Sequence, residues 1–123
     1  MASVRLLLTI PLLFGCAACC DDKTEAAETS PLGHTIAVVT YRNCGVLSAG
    51  TSVVLRAAKR HFWSKDAVVL GAEGRHTVTV LWKDENTLAV YLPNSLRERD
   101  FADQKIARRN EDVNGIHIEY HQL

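Results

Sequence analysis

The stretch HTVTVLWKDENTLAVYLP, residues 76–93, limits the fold more than any other part of the chain. Val78, Val80 and Trp82 alternate with Thr77, Thr79 and Leu81, residues 83–86 (KDEN) supply turn chemistry, and Leu88, Val90 and Leu92 resume the period of two. An apolar set that repeats every second residue lies on one face of an extended strand, whereas a helix would scatter it around its axis. The segment therefore predicts a β-hairpin, closed by Pro93, which has no N–H to give to a ladder.

Other segments follow the same rule. HTIAVVTYRN (34–43) is dense in β-branched and aromatic residues, with Ile36, Val38 and Thr40 on one face and Ala37, Val39 and Tyr41 on the other. TSVVLRA (51–57) and DAVVLGA (66–72) predict two further strands. GIHIEYH (115–121) predicts a last one, introduced by the turn pair Asn114-Gly115, with Ile116, Ile118 and Tyr120 facing in. KIARR (105–109) can pair with it. Ser95 and Glu98 form an S-x-x-E capping box, so a short helix is expected over 96–103, although Leu96, Phe101 and Ile106 make no helical stripe. The fold class is mainly β: a small antiparallel meander or sandwich of five to six strands with at most one short helix.

The chain carries 14 Lys and Arg against 14 Asp and Glu, so no global field draws nucleic acid, an anionic membrane or an acidic substrate. With 123 residues, one domain is the ceiling. The N-terminus departs from globular composition. One cation, Arg5, precedes an apolar stretch over 6–14 that contains Pro11 and falls well short of the roughly 20 residues of a membrane-spanning helix. This reads as a signal peptide over residues 1–15. Residues 16–33 hold little that is large enough to bury and several acids, which predicts a flexible acidic tether, with the single β-rich domain at 34–123.

At Leu13-Phe14-Gly15-Cys16 the sequence resembles the lipobox of bacterial lipoproteins: leucine at minus three, a small residue at minus one and cysteine at plus one. The resemblance implies cleavage before Cys16, a diacylglycerol thioether on its sulfur and a lipid bilayer as partner. Ala17 in place of Asp favours the outer membrane in a Gram-negative cell. Soluble periplasmic or secreted protein is the other localisation open to this N-terminus. Residues 40–56 (TYRNCGVLSAGTSVVLR) are similar to a strand-loop-strand pattern of small bacterial envelope domains with no assigned activity, and that similarity brings no catalytic residue with it.

Four cysteines then need accounting. With Cys16 lipidated, three remain in an oxidising compartment, and a bridge from Cys44 to Cys19 or Cys20 is the pairing that would pin the tether to the domain. For catalysis the candidates Cys44, Ser48, Ser52 and Ser64 have no G-x-S-x-G, H-E-x-x-H or phosphate-cradling loop around them. His117, Glu119 and His121 share one strand face with neighbours about 6 to 7 Å apart. No third ligand is fixed with them, so they read as a solvated face, and neither metal nor other cofactor is expected. The surface most like a recognition site is RAAKRHFWSK, where Arg56, Lys59, Arg60, His61 and Lys65 crowd around Phe62 and Trp63. The functional expectation is a membrane-anchored envelope lipoprotein, a non-enzymatic binding or accessory module whose partner is an envelope protein or glycolipid and not nucleic acid. The alternative is an inhibitor or immunity-type protein acting on an envelope-directed hydrolase.

Overall fold

A computed structural model of the chain describes residues 20–45, 49–60, 64–97, 99–103 and 105–123. It is mainly β. The strands are β1 (Asp21–Thr29), β2 (Thr35–Asn43), β3 (Ala49–Ala57), β4 (Ala67–Glu73), β5 (Thr79–Asp84), β6 (Thr87–Leu92), β7 (Ile106–Arg109), β8 (Asp112–Val113) and β9 (Ile116–Gln122), with one helical turn, α1 (Arg99–Ala102). They form a five-stranded sheet in the order β1-β2-β3-β4-β7 and a four-stranded sheet in the order β5-β6-β9-β8. Ladders are antiparallel except β6 with β9, which run parallel. Among the described residues no helix is long and apolar enough to cross a membrane.

The alternation read from the sequence decides which faces meet. Ala37, Val39, Val53, Leu55 and Leu70 from the larger sheet pack on Val78, Val80, Leu88, Val90, Ile116 and Ile118 from the smaller one in a single buried cluster. Each fully buried Leu or Val contributes roughly 1.5 to 3 kcal/mol by leaving water. Asn114 and Gly115 both take positive φ, 51° and 80°, as the two-residue turn between β8 and β9 requires.

Four expectations need correction. The described residues hold nine strands rather than five or six, because β1, β7 and the two-residue β8 extend the sheets. Residues 21–29 are not a tether: β1 pairs along its length with β2, from Asp21 opposite Asn43 to Thr29 opposite Ile36, so the folded unit begins at least thirteen residues before His34. The helix expected over 96–103 shrinks to one turn, since Leu96 is fully buried in a turn closed by its N–H to the Pro93 carbonyl, outside the helix. Finally, residues 105–109 form β7 but pair with β4 in the larger sheet and not with the last strand, whose short antiparallel partner is β8.

Tyr120 locks one corner. Its hydroxyl donates to the Asn110 carbonyl at 2.6 Å and lies 3.2 Å from that of Val69. Asn110 returns to the same strand, its side-chain amide to the Val68 carbonyl and its backbone N–H to Val69. Burial pushes the phenol up to about 12, against a small opposing effect from the Arg109 guanidinium, 4.4 Å from the ring centroid. A raised acid pKa means that the native state holds its proton longer than the unfolded chain. This part of the stability is therefore complete below pH 10 and is lost as pH rises from about 10 to 12. Tyr120→Phe should lower stability by about 1 kcal/mol at neutral pH, or roughly 4 to 8 °C in thermal midpoint. The same substitution should flatten the alkaline fall; an unchanged slope of stability between pH 10 and 12 would contradict the assignment.

Candidate functional site

The strand registers give the molecule two distinct ends. Asp21 pairs with Asn43 and Asn43 with Ala49 at one end, while Thr35 pairs with Ala57 at the other, about 26 Å away along β2 at 3.3 Å per residue. The first end carries the disulfide. Cys20 is bonded to Cys44 across a sequence separation of 24, just beyond the first pair of the β1–β2 ladder, which selects Cys20 from the two pairings open to Cys44. Cys16 and Cys19 lie outside the described residues.

The opposite end gathers three connections. Residues 30–34 close tightly, with Ser30 N–H donating to the Thr35 carbonyl, Gly33 N–H to Ser30, and Thr35 N–H to the Ser30 hydroxyl; Gly33 provides the positive φ of 80°. Glu85, from the turn between β5 and β6, accepts the Leu32 N–H on Oε1 at 2.5 Å and holds Oε2 3.9 Å from His34 Nδ1. Leu32 is left projecting, 70% exposed. The β3–β4 connection joins the same end through Ala58 N–H on the His34 carbonyl.

Within that connection the cations expected as one surface divide. Arg56 forks onto Asp66, Nε to Oδ1 at 3.2 Å and Nη2 to Oδ2 at 2.9 Å, and Arg60 reaches the same carboxylate at 3.4 Å. The hydrogen bond from Arg56 is the main reason that the Asp66 carboxyl sits below its usual range. Lys59 and Lys65 are exposed. His61, Phe62 and Trp63 lie outside the described residues. Arg56 thus belongs to an ion pair on the outer face of the larger sheet, Arg60 shares its carboxylate from a more exposed position, and Lys59 and Lys65 are the exposed cations beside them.

A cleft of about 280 Å³ opens between β1 and β5, with Glu25, Ala26 and Glu28 on one wall, Arg75 to Thr79 on the other and Val39 and Val80 beneath. The Trp82 indole N–H donates to the Glu28 carbonyl, 2.8 Å away, and bridges the two strands. Arg75 binds Glu25 at 2.8 Å and lies over the Tyr41 ring. His76 lies 2.6 Å from the Glu73 carbonyl through Nε2 and 2.8 Å from Ser95 Oγ through Nδ1. A carbonyl only accepts, so Nε2 carries the proton and Nδ1 takes the hydrogen bond of the Ser95 hydroxyl. Sequence reading placed Ser95 in a helix cap and missed this pairing, whose partner is 19 residues away. Ser95 does not line the cleft and the imidazole is oriented by a backbone carbonyl, so the pair clasps the 74–77 loop to the 93–96 turn.

His117, Glu119 and His121 do share the outer face of the smaller sheet, but Glu119 is taken by Lys83 at 2.8 Å, which holds its carboxyl below the usual range. His117 turns instead to Asp112 at 3.3 Å, and His121 stacks on Tyr91 with ring centroids 5.0 Å apart. Among the described residues no group of three or more His, Cys, Asp or Glu is placed to hold a metal ion. No protein-family model, curated protein or solved structure matches the chain.

Proposed function

We propose that the protein is an envelope lipoprotein anchored through Cys16, whose β domain presents a non-enzymatic binding surface at the end away from the membrane. The observation that carries this reading is the separation of the two ends. The described residues begin at Cys20, four residues after Cys16, while Lys59, Arg60 and Lys65 stand at the far end of β3 and the start of β4. A disulfide at the entry also suits an oxidising compartment. Phe62 and Trp63 fall between Arg60 and Lys65 in the sequence, and the reading assigns them the role of aromatic anchor for a partner that the cations orient.

Trp63→Ala in the full chain tests it. A recognition residue should leave the thermal midpoint within a few degrees of wild type and abolish retention of solubilised envelope components on the immobilised protein. A core tryptophan would instead cost about 3 to 5 kcal/mol, or at least 12 °C at roughly 4 °C per kcal/mol, and a fall of that size would overturn the reading.

One feature favours the inhibitor reading as a second. Leu32 projects from a loop pinned by Ser30, Gly33 and Glu85, which is the form a blocking loop takes when it must enter a hydrolase cleft without being ordered on binding. Inhibition of a wall-lytic enzyme that is lost in Leu32→Asp would support it.

A further inference from the structure

We propose that β1 is a releasable strand latched by the Cys20–Cys44 disulfide, and that reduction of this bond converts a domain held close to its anchor into one on a long acidic leash. Eight of the nine β1 residues are exposed, and Ala26 alone packs against the core. Among the described residues the strand has a ladder partner on one side only, at the edge of the five-stranded sheet, and its register with β2 is broken between Thr24 and Ala26. Its side-chain ties are solvent-exposed pairs, Asp22 with Arg42 and Glu25 with Arg75, together with the Trp82 N–H on the Glu28 carbonyl. Pairs of this kind contribute little in water. An edge strand with nothing large to bury does not repay the entropy of ordering nine residues unless another constraint holds it. The disulfide is that constraint, and it sits at the strand's free end, with Cys20 exposed and Cys44 partly so.

The chemistry needs a dithiol reductant. Its thiolate attacks the exposed Cys20 sulfur and Cys44 leaves as a thiolate, which takes up a proton. The second thiol of the reductant then displaces Cys20 from the mixed disulfide. Two electrons and two protons pass to the cysteines, and the reductant becomes a disulfide. The consequence for reach rests on the Cys16 anchor. From Cys16 to Asp21 is five residues, at most about 17 Å of extended chain, whereas from Cys16 to Thr35, the first residue of β2, is nineteen, at most about 65 Å.

Trypsin reads the latch directly, because Lys23 lies within β1 opposite Tyr41. In the full chain held in detergent, dithiothreitol should accelerate cleavage after Lys23 about three hundredfold, the size of the loop-closure effect for a separation of 24 residues. Cleavage after Arg56 in β3 and Lys83 in β5 should stay slow. Cys44→Ser should show the fast Lys23 cleavage without reductant. An unchanged rate after Lys23 overturns the proposal, as does acceleration at Arg56 and Lys83 in step with it, which would make the disulfide a staple of the whole domain. Fatty-acid labelling of Cys16 is scored separately, so a missing anchor and a failed latch give different results.

Discussion

Cys16→Ser should shift the protein from the membrane fraction to the soluble fraction and abolish incorporation of labelled palmitate. A single fatty acyl group binds a bilayer only marginally, whereas two or three together hold a protein stably, at about 0.8 kcal/mol for each buried methylene. In the proposed reading a thioether-linked diacylglycerol on Cys16 would supply at least two chains. Loss of the sulfur nucleophile would then remove both chains at once. Persistence of label in Cys16→Ser would place the acyl group on Cys19 or Cys20, and label on Cys20 would also break the Cys20–Cys44 bridge. Complete retention in the membrane without label would mean that something other than acyl chains on Cys16 holds the domain there.

The strands legible in the sequence are those whose own side chains decide their conformation. β2, β3, β4, β5, β6 and β9 each carry a run of β-branched or aromatic residues, and each was bounded to within a few residues by its alternation. β1 was not legible, because DDKTEAAET has the composition of a solvated linker and adopts a strand only through what lies beside it: the open edge of β2, the bond to Cys44 and the Trp82 N–H. Its identity as a strand is a tertiary fact. Leu96 shows the reverse error. The capping pattern at Ser95 is a real local signal, yet burial of Leu96 beneath a tight turn and the Ser95–His76 hydrogen bond compete with the helix and confine it to one turn.

The candidate surface was legible as composition and not as geometry. RAAKRHFWSK shows its cations to a reader of the sequence, but the aspartate that claims two of them, Asp66, falls where the next strand was expected to start. Only the antiparallel return from β3 to β4 brings it beneath Arg56. Likewise the two ends of the molecule, on which the functional reading depends, follow from strand registers that no single segment contains.

Those registers make a sharp prediction at two leucines in the same hairpin. Leu88 on β6 is fully buried, pairs laterally with Trp82 and Ile118, and faces the larger sheet. Leu81 on β5 is 53% exposed and points to the other side, over Ala89 and toward solvent. Leu88→Ala removes three carbons from a close-packed site where strands on both sides limit collapse, at a cost of about 2 to 5 kcal/mol. For a domain of this size that is a fall of at least 8 °C at roughly 4 °C per kcal/mol, and a large part of a total stability of about 5 to 15 kcal/mol. Leu81→Ala should change stability by no more than about 0.5 kcal/mol. The two substitutions delete the same atoms, so the contrast isolates the face on which each residue sits. A slip of one residue between β5 and β6 would move Leu81 inward while leaving the sequence pattern untouched, and comparable melting shifts in the two variants would show that slip. Preserved secondary structure with a lower midpoint in Leu88→Ala alone fixes the register by which the hairpin closes the core.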